Sequence, residues 1–305
     1  MDLHIAAQQI ANGCALGAIY GLIAVGYTMV YGVIRMINFA HGEVYMVSAY
    51  ISAIVLSVLT VLGVRSPVLV LLLVLFVTCA ITGLFGWAIE RVAYRPLRGS
   101  TNLAPLISAI GVSLMLQSYV QISQGARDQG VPNLLAGSVQ MNIGSGTAQF
   151  TYMQLVILLV ALSAMAVLTY VIGYTRLGRQ CRATQQNRRM AAALGVNTDR
   201  IISLVFVIGA ITAAVGGVLV TLNYGSFNFY MGFVVGVKAF TAAVLGGIGS
   251  LPGAIVGGLI LGLAEALFAG YVSTDYKDVF AFAALICVLY FKPSGLLGRP
   301  EIQKV

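Results

Sequence analysis

The chain has 305 residues, of which 59% are hydrophobic and only 9% are charged, and its net charge is +8. A soluble domain carries about a quarter charged residues, so this composition excludes a water-facing globular protein and favours one embedded in a bilayer. The positive charges lie in short gaps between apolar runs, which indicates the positive-inside bias of membrane proteins and not a nucleic-acid partner.

The elements predicted in chain order are membrane helices. A spanning helix needs about 20 mostly apolar residues, and charge-free windows of roughly that length recur along the sequence, although the seventh and the ninth are short. We therefore predict an all-α polytopic membrane protein with about 8–9 membrane helices, some of them broken or re-entrant. A polar stretch at 125–150 has no strong helical pattern. The predicted segments are 9–34, 44–64, 66–89, 103–123, 152–173, 201–223, 233–245, 252–271 and 279–291.

Neither the cysteines nor the start of the chain indicates a secreted or metal-binding protein. The four cysteines form no CxxC pair, which argues against a zinc site or a disulfide framework. The first eleven residues have no basic segment followed by a short apolar core and a cleavage site, so we expect no cleavable signal peptide. No catalytic, cofactor-binding or metal residue is predicted.

Three groups of basic residues define one face of the membrane. They follow the third, the fifth and the last predicted segment, and even numbers of segments separate them, so all three are predicted on the cytoplasmic side. The stretch 125–150 then lies outside, the C-terminus inside and, for an odd number of segments, the N-terminus outside. The groups are Arg91, Arg95 and Arg98; Arg176, Arg179, Arg182, Arg188, Arg189 and Arg200; and Lys292, Arg299 and Lys304.

The basic loop at 174–200 is too long for a simple helix connection. It is predicted to be helical from about Gly178 to Leu194 and to end at Gly195. A short helix with small residues among basic ones suits insertion into a groove on another protein, whereas the alternative is a loop that only sets topology. The candidate contact residues are Arg179, Arg182, Ala183, Asn187, Ala191, Ala192, Leu194 and Gly195.

The segment 35–43, between the first two spans, mixes charged, amide, imidazole and aromatic groups. Asn38, His41 and Glu43 are candidate pathway or gating residues. Because His41 and Glu43 are two positions apart, they would not share a helix face, which gives weak support to a metal site or an acid–base pair. A structured loop or re-entrant turn is the favoured interpretation.

Two charged residues lie inside predicted membrane segments, Lys238 in the seventh and Glu265 in the eighth. Charge in the hydrocarbon region is costly, so each is a functional candidate. They either form a structural ion pair between neighbouring helices, which is the favoured alternative, or line a polar passage.

Glycines recur every four residues in the first and eighth segments, at Gly13, Gly17 and Gly21, and at Gly258 and Gly262. This spacing predicts close helix packing, more commonly within a chain than between subunits. The run 246–253 has no Gly-Lys-Ser/Thr sequence and is not a phosphate loop. It predicts a helix break of the kind found at transporter binding or gating regions, with Gly246, Gly247 and Gly249 as candidates.

Several of these stretches, taken in order, resemble one family. Residues 27–43, the loop 178–197, the run 240–254 and the Gly-Arg-Pro-Glu sequence at 298–301 resemble the high-affinity branched-chain amino acid ABC transporter permeases, in their LivH-like branch. The resemblance covers nearly the whole chain. One departure is Arg189, which stands where the coupling segment of ABC permeases commonly begins a Glu-Ala-Ala pattern.

The resemblance implies a single permease domain over 1–305, with the loop 174–200 as its coupling segment, in the bacterial inner membrane. It implies a LivM-like second permease, two cytoplasmic ATPase subunits that bind ATP and Mg²⁺, and a periplasmic binding protein that delivers Leu, Ile or Val. Apart from membrane lipid, no further partner and no cofactor bound by this chain is expected. Transport would follow alternating access.

Three alternatives remain open from the sequence. A permease for urea, amides or another small amino acid shares the same general appearance. A self-sufficient secondary transporter would have paired ionisable residues deep in several spans, and here only Lys238 and Glu265 stand out. An intramembrane enzyme would need a catalytic constellation such as HExxH or GxSxG, which the sequence lacks.

Overall fold

A computed structural model describes residues 3–98, 100, 103–132, 134–135, 137–143 and 146–298. The described chain is a helical bundle with two small antiparallel strand pairs. The helices are α1 (Leu3–Ile34), α2 (Ala40–Val61), α3 (Pro67–Ile89), α4 (Leu103–Gln124), α5 (Tyr152–Tyr174), α6 (Arg176–Gln186), α7 (Arg188–Ala193), α8 (Thr198–Tyr224), α9 (Met231–Gly246), α10 (Leu251–Tyr271) and α11 (Lys277–Phe291). The strands are β1 (Gln129–Gly130), β2 (Ser138–Ile143), β3 (Gly146–Thr151) and β4 (Ser226–Phe227), paired β1 with β4 and β2 with β3.

The predicted all-α polytopic class is confirmed. Within the described residues, seven helices are long and apolar enough to cross a membrane, namely α1 to α5, α8 and α10, with α3 continued to Leu97 by a π turn and a 3₁₀ turn. Helices α9 and α11 have 16 and 15 residues, shorter than a full span of about 20. They coincide with the two predicted segments that are short.

Two local predictions are wrong. The basic loop does not form one helix, because Asn187 interrupts it; its side chain accepts a hydrogen bond from the Met190 backbone N–H at 3.1 Å and caps α7. The segment 35–43 is not all loop, since α2 begins at Ala40 and includes His41 and Glu43. The predicted helix start at residue 44 is four residues late, because it assumed that these two polar side chains lie outside the span, whereas both are buried.

Helices α1 and α8 form the core of the bundle. Within their most apolar windows, 89% of α1 and 72% of α8 are buried by other parts of the protein, against 22% for both α4 and α5. In lipid an apolar outer surface is as stable as an apolar core. The outer helices therefore face lipid or another apolar membrane surface with side chains such as Leu72, Phe76, Leu114 and Leu159, each more than half exposed.

Glycines bring α1 and α10 into direct backbone contact. A β-carbon added at Gly17 would lie 2.8 Å from the Leu259 Cα, and one added at Gly258 or Gly262 would overlap the backbone of Gly21 or Gly17. These are the two glycine series recognised in the sequence. Their use is packing within the chain, as expected for closely approaching membrane helices.

The connections gather at two opposite ends of the bundle. We call the end formed by 35–39, 90–98, 175–197, 247–250 and 292–298 the basic end, since the arginine groups lie there; Arg299 and Lys304 of the third group lie outside the described residues. The opposite end, formed by 62–66, the described part of 125–151, 225–230 and 272–276, is the hairpin end. There the start of α1 binds the β2–β3 hairpin, because the Gln149 backbone N–H donates to the Gln8 side chain at 2.7 Å.

Candidate functional site

A buried ion cluster lies between α1, α9, α10 and α11. The Lys238 ammonium is 2.6 Å from Glu265 Oε1 and 2.5 Å from Asp278 Oδ1. The Tyr20 hydroxyl donates to Glu265 Oε2 at 3.1 Å, and its ring centroid is 5.8 Å from the lysine nitrogen. We call these four residues the Lys238 cluster. The predicted pairing of Lys238 with Glu265 is thus present, together with two partners that sequence reasoning missed.

The Lys238 cluster contains one basic and two acidic side chains. The Lys238 and Glu265 side chains are 4% and 2% exposed, whereas the Asp278 side chain is 43% exposed. Removing one member of a buried pair is strongly destabilising because it strands the other charge. Asp278 is the most accessible of the three side chains.

Two cavities adjoin this cluster at the hairpin end. The smaller has a volume of about 330 Å³ and is lined by Lys238, Glu265 and Asp278 together with residues of α1, α2 and α8 and of the start of α9. The larger, of about 590 Å³, has more polar walls that include Gln9, Asn12 and Gln154. Glu265 and Lys277 line both. The charged residues are therefore at the edge of open space and not in solid packing.

The candidates on α2 lie apart from this cluster. The His41 ring packs on Gly26 of α1 and Gly209 of α8, and the Tyr27 and His41 ring centroids are 4.7 Å apart. Gly26 is eight residues before the end of α1 and Gly209 is eleven after the start of α8, so α2 begins about 12–17 Å inside the bundle at 1.5 Å per residue. The start of α2 is in that sense re-entrant from the basic end.

Asn38 and Glu43 tie the start of α2 to its neighbours. The Asn38 side-chain oxygen accepts hydrogen bonds from the Tyr94 hydroxyl at 2.6 Å and from the Ala40 backbone N–H at 3.1 Å. Glu43 accepts from the Ser113 hydroxyl at 3.3 Å through one oxygen, while its other oxygen is buried without a hydrogen-bond partner. His41 and Glu43 point to different neighbours, as their two-residue spacing predicted.

The glycine break separates α9 from α10 as predicted. Gly247 and Gly249 have positive φ angles of 104° and 94°, a backbone region that other residues rarely adopt. The segment after α11 covers the break, because the Leu296 and Leu297 backbone N–H groups donate to the carbonyls of Leu245 and Gly246. The break lies at the basic end beside α6 and is separate from the Lys238 cluster.

The two short helices of the basic loop are fixed to the bundle while leaving one surface free. Arg182 donates to the Ile172 carbonyl at 2.5 Å and to that of Gly173 at 3.4 Å, which satisfies carbonyls at the end of α5. Ala191 is buried, whereas Met190 and Leu194 are 64% and 83% exposed. The other loop candidates are distributed as follows: Arg179, Asn187, Ala192 and Gly195 are exposed and Ala183 is half-buried.

One carboxylate connects α7 with the end of α3. Asp199, in the first turn of α8, is 2.7 Å from both Arg98 and Arg188 and 3.8 Å from Arg95. Arg98 also pairs with Glu90, whose second oxygen accepts from the Ser203 hydroxyl at 2.5 Å. Sequence reasoning treated these arginines as topology signals and missed the network. Asp199 was the available signal, as the single acidic residue within 174–200.

The architecture is that of a multi-pass helical membrane protein. Within the described residues, no group of three or more His, Cys, Asp or Glu side chains is placed to hold a metal ion. Residues 9–289 match the family described as branched-chain amino acid transport system, permease component, and the chain belongs to that family.

Individual relatives are similar over almost their full length. The high-affinity branched-chain amino acid transport system permease protein LivH of Escherichia coli K12 is 54% identical over 301 residues, which cover 98% of this chain and 97% of that protein. LivH of Salmonella typhimurium has the same identity and coverage. The corresponding protein BraD of Pseudomonas aeruginosa is 51% identical over 299 residues, again 98% and 97% of the two chains. The resemblance found in the sequence is therefore confirmed, and the chain is a transport subunit and not an enzyme.

Proposed function

We propose that this chain is a permease subunit of an ATP-driven importer that moves leucine, isoleucine and valine across the bacterial inner membrane. The observation that carries the proposal is the match at 51–54% identity, over nearly the full chain, to permeases named for high-affinity branched-chain amino acid transport. The working complex contains a LivM-like second permease, two ATPase subunits that bind ATP and Mg²⁺, and a periplasmic binding protein.

The basic loop is the proposed contact with the ATPase. Its second helix exposes Met190 and Ala192 among arginines, and Leu194 is exposed directly after the helix ends. Exposed apolar side chains that are grouped outside the membrane segments support a protein interface, whereas scattered single ones do not. The basic end is accordingly cytoplasmic, and the described part of the hairpin end faces the binding protein.

The loop also has a direct connection to the bundle. Arg188 of α7 forms an ion pair with Asp199, and Asp199 forms another with Arg98 after α3. A displacement of α7 by the ATPase would thus move α3 and α8 together, and these helices enclose the start of α2. Asn38, His41, Glu43, Gly246, Gly247 and Gly249 are the proposed gating positions, since they lie on the broken or re-entrant segments next to this connection.

Reconstitution of the four kinds of subunit in proteoliposomes tests the proposal. We expect uptake of radiolabelled leucine that requires both ATP and the binding protein, and no uptake of radiolabelled urea. Leucine uptake by the two permeases without the ATPase subunits would instead identify a secondary transporter. Urea uptake in place of leucine uptake would overturn the substrate.

A variant at the end of the basic loop tests the coupling surface. Gly195 has a φ of 85° and an added β-carbon would meet nothing within 4 Å, so Gly195→Leu adds bulk to the loop surface. We expect loss of leucine uptake with normal membrane insertion, and the same for Ala192→Trp. Gly63→Leu is the matched control, because Gly63 has a φ of 75°, equally open surroundings and a place at the hairpin end. Normal uptake by Gly195→Leu would refute the coupling assignment.

A further inference from the structure

The 330 Å³ cavity beside the Lys238 cluster has charged groups of both signs at one side. Lys238 and Lys277 supply ammonium groups, and Glu265 and Asp278 supply carboxylates. A cavity that selected a ligand with a single charge would be lined by charged side chains of the opposite sign only. Paired opposite charges complement a zwitterion, since each pole of the ligand then meets its counter-charge.

Part of the remaining wall of the same cavity is aliphatic, and we call this part the aliphatic wall; it consists of Leu16, Ile19, Val220, Val234 and Val235. Most of the rest of the lining is aromatic, with Tyr20, Tyr45, Tyr224, Phe227 and Tyr230. Small-molecule sites are typically apolar cavities of about 300–1,000 Å³ in which a few polar groups fix orientation. This one is at the small end of that range, which suits an amino acid with an aliphatic side chain better than a peptide.

One polar group in the cavity has no partner within the described protein. Tyr45 lines the cavity and is fully buried, and its hydroxyl makes no hydrogen bond. Buried hydroxyls are nearly always hydrogen-bonded, so an unpaired one requires an explanation. A ligand carboxylate in the cavity would accept a hydrogen bond from it.

We propose that this cavity is the site at which the permease receives its substrate, an aliphatic α-amino acid, on the outer side of the membrane. The ammonium of the amino acid binds Asp278, the half-exposed carboxylate of the Lys238 cluster, and thereby releases part of the Lys238 ammonium. The carboxylate of the amino acid then binds Lys238 and the Tyr45 hydroxyl, and the side chain occupies the aliphatic wall. This assignment rests on the proposed function and adds to it a specific site.

The competing explanation is that Lys238 and Glu265 are a structural ion pair alone. A buried ion pair can often be replaced by apolar residues of similar volume without loss of stability. The double variant Lys238→Met, Glu265→Met separates the two explanations, because it removes the ammonium that binds the ligand carboxylate without leaving Glu265 unpaired. Asp278→Asn is the milder variant, and Asp275→Asn is its control, since Asp275 is an exposed acidic residue three positions away that does not line the cavity.

Binding is measured on the purified complex without the binding protein, by saturation-transfer NMR of the leucine methyl protons. We expect a signal for the unmodified complex and for Asp275→Asn, and at least a tenfold weaker one for Asp278→Asn and for the double variant. Isoamylamine and 4-methylpentanoate, which each lack one of the two charged groups, are expected to compete at least tenfold less well than valine. Equal signals from all variants, or equal competition by the singly charged analogues, would overturn the site.

Transport measurements keep this inference separate from the proposed function. In proteoliposomes we expect the double variant to hydrolyse ATP in response to the binding protein but to take up leucine at least tenfold more slowly. Leucine uptake within twofold of normal by the double variant would show a structural pair and refute the site while leaving the importer intact. Failure of the unmodified complex to take up leucine would refute the proposed function itself.

Discussion

Cys181 shows how burial controls a single side chain at the basic end. It lies on α6 and is 6% exposed, and this burial raises the pKa of its thiol to about 11. Only the thiolate reacts with maleimides, so at pH 8 we expect alkylation by N-ethylmaleimide at least about a hundredfold slower than for an exposed cysteine, whose pKa is near 8.5. Mass spectrometry of the purified protein gives the rate.

A cysteine placed on the same helix is the control for this prediction. Gln186→Cys puts an exposed thiol at the end of α6, and we expect it to be alkylated within minutes. Equal rates at the two positions would show that α6 does not pack against the bundle as described.

The sequence identified only some members of the Lys238 cluster as candidates. Lys238 and Glu265 are conspicuous in the sequence because each interrupts an apolar run. Asp278 lies next to a polar turn and Tyr20 is one of 15 tyrosines, so neither has a distinguishing pattern. Their roles depend on contacts between elements up to 245 residues apart, which local sequence does not encode.

Helices α1 and α10 cross in backbone contact at the two glycine series, whose spacing predicted close helix packing. Gly17→Val places a β-carbon 2.8 Å from the Leu259 Cα and 2.9 Å from the Gly258 carbonyl oxygen. Backbone atoms cannot move aside as flexible side chains can. We therefore expect the free energy of unfolding to fall by about 1–3 kcal/mol, the usual cost of overpacking. A lowered melting temperature of the purified protein would show it.

Gly111→Val is the matched control for this substitution. Gly111 lies within α4, and an added β-carbon there meets nothing within 4 Å. We expect a melting temperature close to that of the unmodified protein. A similar decrease for both variants would mean that valine acts through helix propensity and not through the crossing.

The connection between α7, α8 and the end of α3 depends on Asp199. Asp199→Asn removes the negative charge that holds Arg95, Arg98 and Arg188 together. Although exposed ion pairs contribute little singly, three pairs share this one carboxylate. We expect α7 to detach more often, so that trypsin cleaves the purified protein between residues 176 and 189 several times faster.

Gel analysis of the trypsin fragments checks the Asp199 prediction. Asp275→Asn removes an exposed charge at the hairpin end, and we expect it to leave the cleavage rate unchanged. An unchanged rate in Asp199→Asn as well would show that capping by Asn187 and packing of Ala191 hold α7 without the ion pairs.

At the scale of the whole molecule, the arrangement predicts which surfaces face each side of the membrane. Asn142 is exposed on the β2–β3 hairpin and Arg189 is exposed on α7, at opposite ends of the bundle. In a variant without native cysteines, we expect an impermeant maleimide to label Asn142→Cys in intact cells. Arg189→Cys is expected to be labelled only after permeabilisation, and labelling of both in intact cells would contradict the topology.

The sequence by itself determined the class of protein, the membrane segments and the two helix-packing glycine series. These features follow from the composition and from residue patterns that repeat within a single helix. A bilayer requires them, because every backbone N–H and C=O group in lipid must be hydrogen-bonded within the protein. Only the tertiary structure decided that α2 begins inside the bundle and that Asn187 divides the basic loop. It also brought Asp278 and Tyr20 to Lys238 and Glu265, because these features depend on distant helices approaching one another. The buried charges were readable as candidates, but their partners and the cavity beside them exist only once the helices are packed.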